Sequence, residues 1–569
     1  MVLVGANNAG KSNIIRAINA ICGDEWFGAE KMQDHDFYLR DRNRPFVVKL
    51  SFDNDYTAVL SSSAKWPEYK DNFGNPIYSS KGNIKEDFPC TFLGADRSFD
   101  RHMSFYDWTL LGKIRKTFHR RCAEVADKLD KKFNEIVALF DLVPGFPEFK
   151  QDFAEFFNEM QADAPIKMSV NFKPFTPSNY FKTMHVLASD PAQGGQDLDL
   201  DELGEGTRNL AVLALLRSYA LNLRRHGEEA SGILALEEPE IYLHPQAQRN
   251  LFRVLREIAS SGIQVIISTQ SSCFVDTEYF DSIGLVRKID DPENEGCQHT
   301  VLTLVTKADL VEHCHQTGVP QGKATIENIA EYYKSTSNHR LNEAFFARFV
   351  ILVEGETEEL ALPEYLSAAG LDCDWRGVSV IAVQGKNQIP KYWRLFSKFD
   401  IPMLVLFDND DDGTDKNGAD NKKRKSNKNL ATCFGLELDQ ILHSKSWDVI
   451  KSVSKPETMI VVLRKDFETA VREDYIKVAS SGYSTIDDME RQARDIIKPE
   501  TRDQAKGLIA RHVARQIHAF KPGYAPKFVR HIADAVNACL GFSNVTVQQK
   551  QKTFSPLAIE ESSDDELPF

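Results

Sequence analysis

The sequence contains no run of about 18 apolar residues, so no membrane-spanning helix is expected. Its nine cysteines lack the paired spacing of zinc-binding or disulfide-rich domains, and the Cys and His residues at 297–299 and 313–315 lack it too. No repeat of fixed period is present, and the first residues do not resemble a signal peptide. We therefore expect a cytoplasmic globular protein with reduced thiols.

An excess of basic residues is also missing. The chain has 83 acidic and 69 basic residues, which gives a net charge of −14. That balance argues against a general nucleic-acid-binding protein. An enzyme that acts on DNA would need locally basic surfaces, and cations at any acidic site, to overcome it.

Two regions alternate apolar strands with helical segments. The first has apolar strands at 233–236 and 265–268, and the second at 349–353, 378–383 and 403–407. Continuous apolar strands between helices predict parallel sheets covered on both faces. With 569 residues, the chain is too long for one core, and we predict an α/β protein of several domains.

Residues 5–12 (GANNAGKS) fit the P-loop pattern G-x-x-x-x-G-K-[ST] in full, between an apolar strand and a helical segment. Backbone N–H groups of such a loop and the helix N-terminus bind phosphate oxygens. Lys11 is expected to reach the β- and γ-phosphates of ATP, and Ser12 to hold Mg²⁺. The other predicted nucleotide contacts in this segment are Gly5, Asn7, Asn8, Gly10 and Asn13.

Residues 233–240 (ILALEEPE) match the Walker B strand that accompanies a P-loop. Glu237 is expected to hold the water shell of Mg²⁺, and Glu238 to orient or deprotonate the attacking water. Gln270 stands where a switch histidine is expected after Ser268 and Thr269. Glutamine can hydrogen-bond a γ-phosphate but cannot carry a proton, so ATP turnover is expected to be slow or differently controlled.

Residues 203–209 (LGEGTRN), with Gly204 and Gly206, precede a helical run and resemble the signature loop of ABC-type ATPases. In that family the signature of one subunit closes over ATP held by another. The resemblance therefore implies a homodimer or a higher homo-oligomer. A glycine-rich turn before a helix is otherwise common.

Acidic residues follow two strands of the second region. Glu354 ends one strand, and Glu358 lies one helical turn further on. Asp408 and Asp410 follow the strand at 403–407, and on an extended segment both would point to the same side. Such oxygen ligands suit Mg²⁺ or Mn²⁺, and two ions about 4 Å apart can activate water and stabilise a leaving 3′-oxygen. Taken alone, the acidic run at 408–412 could equally be a calcium-type turn or a solvated loop.

A basic run follows these acids at residues 422–425 (KKRK), with Lys428 beyond it. Like-charged runs are usually solvated loops. Because this run leaves the strand beside the predicted metal site, we interpret it as a loop that contacts the DNA backbone non-specifically.

The order of strand, E-G-x-x-E, further strands and D-x-D resembles the TOPRIM domain. The whole chain resembles the overcoming lysogenization defect (OLD) family, in which an ABC-type ATPase is joined to a TOPRIM nuclease. In that comparison residues 384–387 (QGKN) match a family loop, and Asp466 and Glu468 would complete the metal pair, with Glu468 the firmer ligand. Lys521 belongs to a late K-P-x-x-A element and would stabilise charge on the scissile phosphate. Taken alone, these last matches are short, and surface charge would explain them as well.

The resemblance implies an ATP-binding and ATP-hydrolysing, metal-dependent DNA endonuclease in antiphage defence or DNA repair. The chain is more similar to the branch often encoded beside a UvrD-like helicase, as in Gabija defence, which makes such a helicase a candidate partner. Two alternatives stay open: a RecF/SMC-like DNA-binding ATPase without cleavage, and a nucleotide-sensing regulator of a partner effector. The residues do not show whether ATP activates or inhibits cutting.

The predicted domains follow the same comparison. The amphipathic pattern between about 105 and 165 predicts a long helix, either packed on its own domain or forming a dimerisation arm.

The acidic end EESSDDELPF is expected to be disordered, and it resembles the terminal peptide with which bacterial single-stranded-DNA-binding proteins bind basic pockets of partners. The predicted segments are an ATPase lobe at 1–105 that is expected to lack the usual N-terminal strands, a helical insertion or dimerisation arm at 106–170, the second part of the ATPase lobe with a linker at 171–340, the TOPRIM domain with a helical subdomain at 345–545, and the tail at 546–569.

Overall fold

The computed structural model describes residues 1–542 except 24–25, 54, 63–65, 78–83, 89, 95–113, 115–117, 119–120, 161–186, 190–194, 196, 200–201, 226–231, 242, 335–338, 411–421, 444, 477–484 and 499–504. Two compact units divide the chain. Unit 1 comprises Met1–Lys307 and Ala330–Phe346, and unit 2 comprises Ala308–Ile329 and Ala347–Phe569. The predicted partner-binding tail lies outside the described residues.

Unit 1 is built on a central sheet, a smaller antiparallel sheet and a strand pair. Its strands are β1 Val2–Val4, β2 Val47–Ser51, β3 Thr57–Ser62, β4 Pro67–Asp71, β5 Cys90–Leu93, β6 Leu187–Ser189, β7 Asp197–Asp199, β8 Ile233–Glu237, β9 Gln264–Ser268, β10 Ile283–Asp290 and β11 Gln298–Leu304. Its α-helices are α1 Lys11–Cys22, α2 Ile84–Asp87, α3 Ala126–Phe140, α4 Phe146–Met160, α5 Glu205–Arg225, α6 Pro245–Ala259, α7 Lys307–Gln316 (which continues into unit 2), α8 Ile329–Lys334 and α9 His339–Asn342.

The central sheet of unit 1 has the strand order β11-β10-β1-β9-β8-β5. All neighbours are parallel except β10 and β11. β1, β8 and β9 are apolar and buried, as continuous runs in a covered parallel sheet should be. Helix α1 buries Ile15 in the same core as Leu3 of β1 and Leu60 of the antiparallel sheet. The loop between β1 and α1 therefore lies at the carboxyl edge of a packed sheet.

The amphipathic segment after residue 105 is not one long helix in its described part. A short 3-10 turn, Cys122–Val125, leads into α3, and a turn with Gly145 at φ 85° separates α3 from α4. The prediction of a single helix was wrong because a left-handed glycine at this point redirects the chain. Several apolar side chains of the two helices, among them Leu139, Phe149 and Phe156, are exposed.

Unit 2 is a second layered α/β structure. Its strands are β12 Phe349–Val353, β13 Val378–Ala382, β14 Met403–Asp408, β15 Trp447–Lys451 and β16 Met459–Leu463. Its further helices are α10 Glu356–Ala368, α11 Cys373–Arg376, α12 Ile389–Lys398, α13 Lys422–Phe434, α14 Leu438–Ile441, α15 Phe467–Ile476, α16 Ile486–Ile497, α17 Lys506–Phe520 and α18 Lys527–Cys539.

The sheet of unit 2 has the order β13-β12-β14-β16-β15, parallel except for β15 against β16. β12 and β14 are buried along almost their whole length, and α10 packs beside α17 on one face. The carboxyl ends of β12, β14 and β16 meet at one edge, where open α/β sheets bind ligands. The predicted α/β class is confirmed.

The basic run at 422–425 was predicted as a loop, and that prediction was wrong. These residues form the first turn of α13. The helix forms because Ser426, Asn427 and Leu430 bury one of its faces. Four cations at a helix N-terminus are unfavourable for the helix dipole, so packing is what holds this turn helical.

Within the described residues, no helix combines the length and the hydropathy needed to cross a bilayer.

Gly5→Ala should destabilise unit 1. Gly5 has φ 140°, and a Cβ there would lie 2.1 Å from the backbone oxygen of Val286. We expect a loss of about 2 to 4 kcal/mol in the free energy of unfolding, measured by thermal or urea denaturation. Gly74→Ala is the matched control, because Gly74 also has positive φ but a Cβ there meets nothing within 4 Å. Equal losses in both variants would contradict the steric explanation.

Candidate functional site

The P-loop wraps the N-terminus of α1. Asn8 and Gly10 take left-handed conformations, with φ 61° and 108°, which turn the backbone around the loop. Lys11 is buried, and its Nζ donates to the carbonyl oxygens of Gly5 at 2.7 Å and Ala6 at 3.0 Å. The Lys11 ammonium therefore lies across the loop whose N–H groups are expected to bind phosphate.

Thr300 of β11 supports this loop from outside it. Its hydroxyl donates to the carbonyl of Ala9 at 2.8 Å, and a Cβ on Gly10 would lie 2.5 Å from that hydroxyl oxygen. The role of Thr300 could not be predicted from the sequence, because nothing local relates this residue to a loop almost three hundred residues earlier.

The acids after β8 lie beside the P-loop. Burial lowers the pKa of Lys11, while Glu238 and Glu240 raise it, so both carboxylates are within electrostatic reach of the lysine. Glu237 ends β8, is buried, and lies 3.6 Å from Nε of Arg16 on α1. The structure thus brings the predicted Walker A lysine and Walker B acids to one edge of the sheet.

Gln270 touches the predicted hydrolytic glutamate directly. Its side-chain amide donates to the carboxylate of Glu238, and its backbone N–H donates to Glu240 at 2.7 Å. Glu238 has φ 44°, a left-handed conformation that its N–H bond to the Ser268 carbonyl at 2.8 Å helps to fix. Gln270, at the position where a switch histidine is expected, is therefore an uncharged hydrogen-bond partner of Glu238.

The glycine-rich turn at 203–206 leads into α5. The carbonyl of Gly204 accepts from the N–H groups of Thr207 and Arg208 at 3.0 and 3.1 Å, and Gly206 lies in the first turn. Ser12 and Asn13 lie in the first turn of α1, and Asn7 lies in the preceding loop. The contact of the signature turn with ATP of a second subunit stays a prediction.

Five predicted metal ligands of unit 2 form one electrostatic group. Burial is the main reason that the pKa of Glu354 is raised, that of Glu358 is raised to about 7, and that of Asp408 lies well above its usual range. Repulsion adds to burial, from Glu468 at Glu358 and from Asp410 at both Glu354 and Asp408. Glu354, Glu358, Asp408, Asp410 and Glu468, from three stretches of the chain, therefore lie within electrostatic reach of one another, and we name these five residues the acid cluster.

A divalent cation suits the acid cluster. Buried oxygens of Glu354 (Oε2) and Asp408 (Oδ1) have no hydrogen-bond partner, and Oε1 of Glu468 has only the ammonium of Lys506 at 3.0 Å. Buried carboxylates without partners are costly, and a cation would satisfy them. The described residues contain no set of three His, Cys, Asp or Glu side chains already arranged as ligands. Cation binding would therefore have to draw these acids closer together.

The D-x-D segment departs from the prediction. Asp408 ends β14, but Asp410 has φ 52°, so the segment is not extended through its second acid. The chain turns because Asn409 is buried, with its N–H donating to the Leu463 carbonyl at 2.6 Å. The two acids interact because of this turn, and the period-two alternation assumed from the sequence does not apply.

The later predicted residues are placed differently. Glu468, in the first turn of α15, belongs to the acid cluster. Asp466 accepts from the N–H of Thr469 at 2.8 Å, the position of a helix N-cap. Lys521 follows α17, with its Nζ 5.7 Å from the ring centroid of Tyr524. Its role at the scissile phosphate stays a prediction.

Three lysines at the acid cluster were not predicted as part of it. Lys386 is buried and acts electrostatically on Glu354 and Asp408, and Nζ of Lys423 lies 3.6 Å from Asp410. Lys506 pairs with Glu468. For Lys386 the sequence offered the match of residues 384–387 to a family loop, and for Lys423 the basic run after the acids, but neither signal indicated a contact with the acids.

Two family patterns match the chain. The one described as "AAA domain, putative AbiEii toxin, Type IV TA system" matches residues 1–276. The one described as "Overcoming lysogenization defect protein-like, TOPRIM domain" matches residues 345–410. The fold, the P-loop and the acid cluster thus define an ATPase joined to a TOPRIM domain.

Named relatives narrow this class. The chain is 26% identical over 479 residues to the OLD nuclease of Thermus scotoductus, covering 76% of this chain and 84% of that protein. It is 25% identical over 299 residues to the Old nuclease of Escherichia phage P2, covering 50% and 44%. It is 24% identical over 236 residues to the endonuclease GajA of Bacillus cereus, covering 38% and 32%. The chain is thus similar to OLD nucleases, in agreement with the resemblance seen in its motifs, and these relatives support an ATP-dependent nuclease.

Glu358→Gln should stabilise the metal-free protein at pH 8. Because the folded-state pKa of Glu358 is raised to about 7, its carboxylate opposes folding above that pH, and the cost declines as pH falls through 7. We expect the melting temperature in EDTA to rise by several degrees at pH 8, with a gain that shrinks at lower pH. Mn²⁺ should stabilise the variant less than the unaltered chain.

Glu356→Gln is the control for this experiment, since Glu356 is exposed in the same helical turn. It should leave the melting temperature nearly unchanged. A lower melting temperature for Glu358→Gln at pH 8 would contradict the repulsion on which the prediction rests.

Proposed function

We propose that the chain is a Mg²⁺- or Mn²⁺-dependent DNA endonuclease that hydrolyses phosphodiester bonds at the acid cluster and is controlled by ATP at the P-loop. The observation that carries the proposal is the group of buried and half-buried carboxylates, with unpartnered oxygens on Glu354 and Asp408, at the carboxyl edge of the unit 2 sheet. Folding alone does not require carboxylates that repel one another, whereas a site that binds divalent cations does.

In the proposed reaction the acid cluster would hold the metal ions, with Asp466 as a looser ligand. Bound there, the ions would supply an activated water and a counter-charge for the leaving 3′-oxygen. Glu354, whose pKa is raised by burial, is a stronger base than an exposed glutamate and is proposed to accept a proton in the reaction. Asp408 and Asp410 would fix the position of the phosphate through the metal. Lys521 is proposed to stabilise charge on the scissile phosphate.

The proposed DNA contact is the first turn of α13. Lys422 and Lys425 are exposed there, next to Lys423, which reaches Asp410. A local cation group of this kind would offset the net charge of −14 where a polyanion must approach. Contacts to phosphates would make binding independent of sequence and weaker at high salt.

In the ATPase half, Lys11 and Ser12 are proposed to bind the phosphates and Mg²⁺ of ATP, and Glu237 to bind the water shell of Mg²⁺. Glu238 would orient the attacking water, with Gln270 holding its carboxylate. Gly204 and Gly206 would contact ATP of a second copy, so the working form is proposed to be a homodimer or a larger homo-oligomer.

The biological setting is proposed from the relatives. One of them is named as the endonuclease GajA, and a role in antiphage defence or DNA repair fits an ATP-dependent nuclease. A UvrD-like helicase and a partner that binds the DDELPF tail are further proposals. Deleting Pro568 and Phe569 tests the second: unchanged recovery of partners would rule it out.

Asp408→Asn should abolish plasmid cleavage and leave ATP hydrolysis intact. The substitution removes a charge from the acid cluster, and we expect cutting in Mg²⁺ or Mn²⁺ to fall on the order of 100-fold or more, as in EDTA. Lys11→Ala should have the opposite effect: the variant should lose nucleotide binding at the P-loop and keep Mn²⁺ binding at the acid cluster. Asp495→Asn, an exposed acid of α16, is the matched control and should cut normally. Normal cutting by Asp408→Asn would contradict the proposed site.

A further inference from the structure

A buried polar network lies directly beneath the D-x-D turn. Lys386 is 7% exposed, and its Nζ donates to the backbone oxygen of Asn409 at 3.3 Å and to Oδ1 of Asn427 at 3.4 Å. Asn427 is fully buried, and its Nδ2 donates to the same oxygen of Asn409 at 2.6 Å. Two side chains from different elements therefore converge on one carbonyl between the two acids.

Asn409 is held on its other sides as well. Its N–H donates to the Leu463 carbonyl at 2.6 Å, and its side-chain amide donates to the Ile441 carbonyl at 3.2 Å. Each of these groups is buried, so a lost bond would leave a polar atom without water to replace its partner. The residue between Asp408 and Asp410 is thereby fixed to β16, α14, α13 and the loop after β13.

Helix α13 contacts the turn twice with one face. Lys423 and Asn427 are four residues apart and so lie on the same side of the helix. Lys423 reaches Asp410 with a separation of 3.6 Å between Nζ and Oδ1, while Asn427 holds Asn409. Lys422 and Lys425 of the same first turn are exposed. The helix that presents cations to solvent is the one that anchors the acids.

We propose that Lys386 and Asn427 are positioning residues that fix the D-x-D turn for divalent cation binding, with Asn427 joining that turn to the basic helix α13. The inference rests on the proposed nuclease function and adds to it the residues that shape the metal site. Neither residue needs to touch DNA or metal in this role.

A rival explanation makes Lys386 a counter-charge only. Its ammonium interacts with Glu354, Asp408 and Asp410, and a cation among acids reduces their repulsion. The same ammonium would repel an incoming divalent cation. Removing a counter-charge would therefore tighten metal binding, whereas removing a positioning group would weaken it. Whether Mn²⁺ binding becomes tighter or weaker therefore distinguishes the two roles of Lys386.

The experiment measures Mn²⁺ binding to the full chain by calorimetry, without DNA. Lys386→Met removes the charge and the donor, and Asn427→Leu removes both hydrogen bonds without changing any charge. We expect each to weaken Mn²⁺ binding by on the order of tenfold, and the double variant to be little worse than either, because both act on one turn. Cleavage should recover at saturating Mn²⁺, since the acids themselves are unchanged.

Lys391→Met is the matched control, because Lys391 is 2% exposed in α12 of the same unit and lies outside the network. It should bind Mn²⁺ normally even if it alters stability. If Asn427→Leu fails to fold, Asn427→Ala, which removes the same bonds with less bulk, takes its place.

Unchanged or tighter Mn²⁺ binding in Lys386→Met or in the Asn427 variant would overturn the inference. So would equally weak binding in Lys391→Met, which would indicate general loosening of unit 2. These results are separate from the proposed function: loss of cutting in Asp408→Asn with normal Mn²⁺ binding in the network variants would leave the nuclease standing and remove only the positioning role.

Discussion

Repulsion among buried carboxylates is the constraint around which unit 2 is organised. Glu354, Glu358 and Asp408 each have a raised pKa, and burial is the largest cause in every case. A fold tolerates such a group only where surrounding structure compensates for it. Here the compensation is an apolar parallel sheet, two helices packed behind it, and lysines brought in from neighbouring elements.

Both units place their chemistry by the same geometric device. In unit 1, β1, β8 and β9 end beside one another, so Lys11, Glu238 and Gln270 meet although they are far apart in sequence. In unit 2, β12, β14 and β16 end together and gather the acid cluster. Parallel strands present their carboxyl ends at one edge, which is why short motifs after strands suffice to build a site.

The sequence predicts the features that depend on residues close to one another in the chain. The P-loop pattern and the acids at strand ends depend on neighbouring residues, and their positions at the sheet edges could be anticipated. The Lys386–Asn409–Asn427 network could not, because its hydrogen bonds join residues 18 to 41 positions apart. The contacts of Thr300 with the P-loop and of Lys506 with Glu468 could not be predicted for the same reason.

The errors had physical causes of the same kind. Residues 422–425 resemble a solvated loop by charge, but burial of Asn427 and Leu430 makes them helical. The sequence pattern predicts an extended D-x-D segment, but the hydrogen bonds of Asn409 turn the chain before Asp410. In both cases tertiary packing overrode the local pattern.

The unsatisfied acids also bear on how long the protein survives. A folded state in which carboxylates repel one another opens more often, and opened segments are what proteases cleave. Ions that neutralise the cluster would lower the population of such opened forms. Divalent cations bound at the acid cluster would in this way slow proteolysis of the chain.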